Sequence, residues 1–202
     1  SENSKAGIKI VDFSEVPSDI LPLIVSLIAR LSFSVQQWTK SEERHPIALL
    51  CDEAHLYIPN KSSSSSSDEI SLSIFERIAK EGRKYGLSLV VISQRPSEVN
   101  RTVLSQCSNF IAMRLTNTDD QMVIKKLLPD NLGGFGDILP ILDTGEALVV
   151  GDASLLPSRI RIDKPLKTPD SGTVDFWDEW QKDVKSNRVS NAVNNWRKQN
   201  IN

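Results

Sequence analysis

The sequence has little of several residues on which common classes of protein depend. Its 202 residues include two cysteines and two histidines: Cys51, Cys107, His45 and His55. So few thiols and imidazoles provide neither a disulfide framework nor a cluster of zinc ligands. No apolar run approaches the roughly 18 residues that a membrane-spanning helix needs, and the first ten residues lack the features of a signal peptide. We therefore expect a cytoplasmic protein with reduced cysteines.

An excess of one charge is also missing. The 24 Lys and Arg residues nearly balance 26 Asp and Glu residues, which gives a formal net charge of −2. This balance argues against a nonspecific nucleic-acid coat protein, but it allows a few basic residues in a channel or groove. With 39% hydrophobic residues, the length suits one domain with a tail.

What is present is an alternation of apolar strands and helices. The runs 8–13, 47–51 and 87–93 are typical of strands, and the last two are continuous enough to be buried on both faces of a parallel sheet. Residues 110–115 predict a third strand of this kind. Steps of three and four predict a helix ending near Trp38, whose apolar stripe includes Leu23, Leu27, Leu31 and Val35.

The second half continues this pattern. Apolar spacing predicts one helix that begins at Asp68 and ends at Gly82 or Gly86, and a second helix over residues 118–128. The segments EALVVG and SRIRI predict an antiparallel pair of strands. The tail contains Trp177, Trp180 and Trp196 among many polar residues. This composition predicts a peripheral helix. These elements indicate an α/β fold with a mostly parallel sheet flanked by helices, an antiparallel edge and a C-terminal helical tail.

A serine-rich stretch over residues 60–68 interrupts the pattern. Six consecutive serines follow Lys61, and so little side-chain bulk predicts a mobile loop. The loop is either a tolerated surface insertion or a segment that faces a channel or a subunit contact, where Lys61 could touch a phosphate backbone.

Two adjacent carboxylates, Asp52 and Glu53, follow the strand IALLC. Ligands of open α/β sheets bind just beyond the carboxyl ends of strands. One carboxylate could hold Mg²⁺ while the other faces an attacking water, which is what nucleotide hydrolysis requires. A strand that ends at a solvated acidic loop would have the same sequence.

Two further polar residues stand near this predicted edge. Gln94 follows the strand at 87–93, and its amide could hold a water or contact a γ-phosphate. Arg83 follows the helix after the serine-rich stretch and could reach a nucleotide bound by a neighbouring subunit. Each has a simpler interpretation, since Gln94 could start a turn and Arg83 could belong to a solvated helix end.

Three segments in this order resemble the HerA branch of the HerA/FtsK superfamily of hexameric P-loop ATPases. They are LLCDEAHLYIP, EGRKYGLSLVVISQRPSEVNRTVLSQCSNFIAMRLTNTDD and DTGEALVVGDASLLPSRIRI, and the likeness extends from Ile8 to Pro165. It implies that residues 1–165 are the C-terminal portion of a RecA-like ATPase domain. Residues 166–202 would be a tail that contacts a neighbouring subunit or a partner.

The resemblance also implies roles for individual residues. Asp52 would be the Walker B aspartate that binds Mg-ATP, directly or through water, and Glu53 the carboxylate that orients and polarises water. Gln94 would be the sensor glutamine, and Arg83 an arginine finger inserted into the next subunit's site. His55 is interpreted as a helix-start residue beside this site.

One motif of the family is missing. None of the nine glycines is followed by lysine, so the phosphate-binding loop GxxxxGK[ST] is absent. We expect this loop on polypeptide upstream of Ser1, and we expect the present chain alone to be inactive. The alternative is a catalytically silent scaffold, derived from such an ATPase, that oligomerises or holds a partner.

Residues 52–55 also spell the motif that names the DEAH-box helicases. Those proteins carry a Ser-Ala-Thr motif and an arginine motif on a second RecA-like domain, and neither is found here. The HerA resemblance implies instead a homohexameric, DNA-translocating ATPase or helicase with DNA in its central channel. Its partner would be a nuclease of the NurA type in DNA end processing, or a sirtuin-type or nuclease effector in defence against phage.

Overall fold

The computed structural model describes residues 7–60, 66–128, 133–154, 156–167, 174–182 and 188–198. The chain divides into two compact units, Ser1–Asp163 and Lys164–Asn202. The helices are α1 (Leu21–Trp38), α2 (Ser66–Glu81), α3 (Arg101–Ser105), α4 (Thr118–Leu127), α5 (Gly133–Gly136), α6 (Phe176–Trp180) and α7 (Arg188–Lys198). The strands are β1 (Ile47–Cys51), β2 (Leu87–Val91), β3 (Asn109–Ala112), β4 (Glu146–Gly151) and β5 (Ser158–Arg161).

Strands β1 and β2 form a parallel pair in the first unit. Their register aligns Ile47 with Leu87 and Cys51 with Val91, so both strands end at the same edge. One face of the pair packs on the apolar core, whereas Leu50 on the other face is 66% exposed. The predicted burial of both faces is therefore wrong for the described residues, because no described element covers the second face.

Helix α1 ends at Trp38, as predicted, but does not have the predicted orientation. Phe33, which is 1% exposed, lies in the core and meets the Tyr85 ring edge-on at 5.3 Å between centroids. Leu27 and Leu31 of the predicted stripe are exposed, Leu27 at 54%. The helix carries apolar residues on two sides, and spacing alone does not determine which side faces the core.

A tight turn connects α2 to β2. The helix continues as one 3₁₀ turn over Gly82–Tyr85, and Gly86 ends it with φ of +70°, a left-handed conformation that suits glycine. This confirms the predicted helix end. The turn fixes where Arg83 stands relative to the start of β2.

The remaining strands form a second sheet of order β3-β4-β5, antiparallel throughout. Phe110 aligns with Val150, and Leu148 aligns with Arg159. The predicted pairing of the last two strands is confirmed. The prediction of β3 as a third parallel strand is wrong, because β4 runs back along β3 and supplies its hydrogen bonds.

Two apolar clusters stabilise the first unit. The larger joins α1 and α2 to the β1–β2 pair, and Phe75 and Ile78 of α2 are fully buried in it. The smaller packs Leu139 and Leu142 against the β3–β4 strands. The larger cluster supports the edge at which β1 and β2 end.

Two segments differ from their predictions. The sequence predicts a strand over Ile8–Phe13, but residues 7–13 form no regular element and Ile8 is 95% exposed. A strand needs a neighbour to complete its hydrogen bonds, and no described strand lies beside this segment. Of the predicted serine-rich loop, residues 61–65 lie outside the described residues, and Ser66–Asp68 belong to α2.

The second unit contains the two helices α6 and α7. The Asp175 carboxylate caps α6 by accepting the backbone N–H groups of Trp177 and Asp178, at 3.0 and 3.3 Å. Trp177, Trp180 and Trp196 are exposed. Among the described residues of both units, no helix is long and apolar enough to cross a bilayer.

Candidate active site

The carboxyl ends of β1 and β2 bring the predicted site residues to one edge. The backbone N–H of Ile92 donates to the Cys51 carbonyl at 2.9 Å, and the N–H of Ala54 donates to the Ile92 carbonyl at 2.9 Å. The pairing of the strands thus continues past their ends. Asp52 and Glu53 lie between these bonds, and their backbone is held against the segment that leads to Gln94.

Glu53 and Gln94 are in direct contact. Gln94 Nε2 donates a hydrogen bond to Glu53 Oε1 at 2.9 Å, although the residues are 41 positions apart. The parallel register produces this contact, because it ends both strands at the same level. The structure therefore brings together two residues that the sequence analysis proposed for one site.

The Glu53 backbone is strained. Its φ of +46° and ψ of +44° are left-handed, and no other described non-glycine residue has a positive φ. Such a conformation costs about 1–3 kcal/mol, and surrounding contacts must hold it. Asp52 Oδ1 accepts the Glu53 N–H at 3.0 Å, and the Tyr57 hydroxyl donates to the Asp52 carbonyl at 2.7 Å.

The second oxygen of the Glu53 carboxylate, Oε2, faces His55. Glu53 Oε2 is buried without a hydrogen-bond partner, and His55 Nδ1 lies 3.4 Å from it. His55 Nδ1 also lies 3.2 Å from Ser93 Oγ. The sequence does not predict this contact, because nothing in the spacing shows that the turn after Glu53 brings the imidazole back to the carboxylate.

Asp52 provides the donor type that Mg²⁺ prefers. Its side chain is exposed at the strand end, and Mg²⁺ is often bound by one or two carboxylates together with phosphate and water oxygens. Among the described residues, no group of three or more His, Cys, Asp or Glu side chains could enclose a metal ion. The site therefore fits an ion that arrives with a phosphate ligand, and does not fit a resident metal.

Arg83 lies apart from these residues. It is exposed on the turn that precedes β2, in a shallow depression lined also by Lys80, Glu81 and Lys84. Gln94 follows the opposite end of β2, and a five-residue strand spans about 16 Å. Within one chain, the structure does not bring Arg83 to the carboxylates.

The groups beneath the site are uncharged at neutral pH. Burial raises the pKa of the Cys51 thiol to about 11 and raises the pKa of the Tyr57 hydroxyl as well. The carboxylates thus stand above neutral groups, which do not add charge to the site.

Sequence comparison finds two informative relatives. The DNA double-strand break repair helicase HerA of Sulfolobus acidocaldarius is 29% identical over 194 residues, which are 94% of this chain and 38% of that helicase. HerA of Pyrococcus furiosus is 37% identical over 118 residues, which are 58% of this chain and 20% of that helicase. The resemblance to HerA helicases is confirmed. The chain thus spans well under half the length of these relatives, and no protein-family model matches it.

Two solved structures resemble the chain in fold. The genome packaging NTPase B204 of Sulfolobus turreted icosahedral virus 2, in complex with ATPγS, has a TM-score of 0.56 at 16% identity and covers 81% of this chain and 77% of its own. VirB4 of Thermoanaerobacter pseudethanolicus has a TM-score of 0.55 at 17% identity, over 77% of this chain and 40% of its own. These likenesses concern the fold, and they confirm the predicted partial RecA-like core.

Proposed function

We propose that the chain is part of a DNA-translocating ATPase that hydrolyses ATP between subunits. The observation that carries the proposal is the Gln94–Glu53 hydrogen bond at 2.9 Å, beyond the ends of two parallel strands. It places a carboxylate and an amide together where open α/β sheets bind their ligands. The likeness to HerA helicases over 94% of the chain supports the same function.

Each residue of the edge has a distinct task in this proposal. Glu53 orients and polarises the attacking water, and Gln94 holds the carboxylate and responds to the γ-phosphate. Asp52 would hold Mg²⁺, directly or through water. When bound with ATP, that ion neutralises phosphate charge. The phosphate-binding loop comes from polypeptide outside this sequence, because no glycine here is followed by lysine.

The position of Arg83 supports catalysis between subunits. The arginine is exposed at the edge of the sheet opposite to Glu53 and Gln94, so it does not serve the site of its own chain. In a closed ring of identical subunits, one edge of each subunit faces the opposite edge of the next. Arg83 would then contact the phosphates bound by a neighbour, and the ring is proposed to be a hexamer.

The partners follow from the same proposal. DNA would occupy the central channel of the ring. The motor would work with a nuclease of the NurA type in DNA end processing, or with a sirtuin-type or nuclease effector in defence against phage. Residues 166–202, proposed as a tail distinct from the ATPase portion at 1–165, expose tryptophans that suit contact with a subunit or an effector.

Replacing Glu53 in the full-length protein tests the proposal. Glu53→Gln keeps the size of the side chain but removes the charge that polarises water, so we expect steady-state ATP turnover to fall by about 100-fold or more while ATP still binds. Glu42→Gln is the matched control, since Glu42 is an exposed glutamate on the turn before β1. That variant should hydrolyse ATP at the unmodified rate.

An unchanged rate in Glu53→Gln would contradict the proposal. If the protein also assembles and retains its partner, that result favours the alternative, a scaffold whose ATPase residues are no longer used. Equal loss of turnover in both variants would instead indicate a general effect of removing surface charge.

A further inference from the structure

The Glu53 carboxylate is held on one oxygen only. Oε1 accepts a hydrogen bond from Gln94 Nε2, whereas Oε2 is buried and has no hydrogen-bond partner. A buried acceptor atom without a donor is costly. The carboxylate plane is thus fixed at one of its two oxygens.

The His55 side chain is placed to supply the missing donor. Its Nδ1 lies 3.4 Å from Glu53 Oε2, just beyond ordinary hydrogen-bond length. The imidazole is 16% exposed and belongs to the 3₁₀ turn Ala54–Leu56, which begins directly after Glu53. A displacement of the ring by about half an ångström would bring the two atoms to ordinary hydrogen-bond distance.

Ser93 keeps the ring within this reach. Its Oγ lies 3.2 Å from His55 Nδ1 and also accepts the backbone N–H of Arg95 at 3.0 Å. Two oxygens therefore face the same ring nitrogen. A proton on Nδ1 can be donated to either oxygen, whereas a lone pair on Nδ1 would repel the Glu53 carboxylate. The surroundings therefore favour the tautomer that is protonated on Nδ1.

We propose that His55 is a positioning residue for the catalytic carboxylate. It donates from Nδ1 to Glu53 Oε2 while Gln94 donates to Oε1, and the pair fixes the plane of the carboxylate. Each carboxylate oxygen has two acceptor positions, and because Oε2 is buried, the second position of Oε1 is the one that remains for the attacking water. This inference rests on the proposed function, because it gives His55 a task only if Glu53 polarises water.

Three replacements of His55 in the full-length protein test the inference. Asparagine places its amide nitrogen near the position of Nδ1, glutamine extends its amide toward the position of Nε2, and alanine has no donor. We expect His55→Ala to lower kcat for ATP by about 10- to 100-fold with KM changed by less than about 2-fold, since misplacement of a catalytic group slows the chemical step. His55→Asn should recover most of the rate, and His55→Gln should not.

The Glu53→Gln background separates this inference from the proposed function. There, His55→Ala should cause no further loss, because His55 acts through the carboxylate. If Glu53→Gln abolishes turnover but His55→Ala does not alter kcat, the role of His55 is wrong and the proposed function stands. If Glu53→Gln hydrolyses ATP normally, the proposed function itself fails.

A merely structural histidine would give another pattern. The three variants would then lose turnover to the same extent and unfold at lower temperature, with no advantage for asparagine. That result would also overturn the inference.

Discussion

At the scale of single residues, Glu53 combines backbone strain with a proposed catalytic role. Its left-handed backbone turns the chain sharply after β1, and this turn directs the carboxylate toward Gln94 and His55. Strained residues of this kind persist where the surrounding structure holds them, often at functional sites. The strain is therefore an observation that supports the assignment of Glu53 independently of its residue type.

Comparing glycine with alanine at position 53 measures this strain. Both replacements remove the carboxylate, but glycine adopts a left-handed backbone without steric cost. We expect Glu53→Gly to be more stable than Glu53→Ala by about 1 kcal/mol in urea unfolding. If Glu53→Ala is instead the more stable variant by about 0.4–1 kcal/mol, which is the ordinary entropic cost of glycine, the left-handed conformation is not strained in solution.

At the scale of elements, the turn between α2 and β2 determines where Arg83 stands. Gly82, which precedes Arg83, is buried where the chain turns back on itself. A Cβ atom at Gly82 would lie 2.3 Å from the Leu87 carbonyl oxygen and 3.2 Å from the Ile78 side chain. The backbone oxygen cannot move aside without displacing the start of β2.

Gly82→Ala should therefore destabilise the chain. We expect a loss of about 3 kcal/mol in the free energy of unfolding, measured by urea denaturation, because overpacking against backbone forces the turn apart. Gly134→Ala is the matched control, since a Cβ atom there meets nothing within 4 Å. A stability of Gly82→Ala equal to that of the control would show that this turn adjusts freely.

Helix α1 shows the limit of sequence pattern at the same scale. The periodicity predicts where the helix ends, yet the predicted stripe is exposed at Leu27 while Phe33 is buried. Because the helix has apolar residues on two sides, the side that is buried depends on which other elements pack against it. Here α2 and the ring of Tyr85 provide them, and neither is visible in the local sequence.

At the scale of the whole molecule, the chain is proposed to hold one part of a nucleotide site. Its described residues provide carboxylates and an amide at a sheet edge, while the sequence has no GxxxxGK[ST] loop to surround phosphates. Most of the affinity of P-loop proteins for nucleotide phosphates depends on such a loop. The 202 residues are therefore proposed to act only together with further polypeptide.

Nucleotide binding by the 202-residue chain checks this proposal. We expect isothermal titration with Mg-ATP to show no saturable binding up to about 1 mM, the upper end of ordinary enzyme KM values. A longer protein that includes an upstream GxxxxGK[ST] loop should bind. Micromolar binding by the short chain would mean that its own residues surround the phosphates.

The sequence by itself determined the α/β class, the position of the helix ends and the residue types at the sheet edge. These features depend on local spacing, on turn residues such as Gly86, and on polar residues that directly follow apolar runs. It also determined the family resemblance, because the motifs occur in a characteristic order. The antiparallel pairing of β4 and β5 followed from local pattern as well.

Only the tertiary structure decided which residues meet. The Gln94–Glu53 contact depends on the register of two strands that are far apart in sequence, and the His55 contact depends on a left-handed turn that a glutamate rarely adopts. The direction of β3 and the buried side of α1 likewise depend on distant partners. Local pattern fixes which residues are apolar or polar, whereas pairing between distant segments fixes which of them share a site.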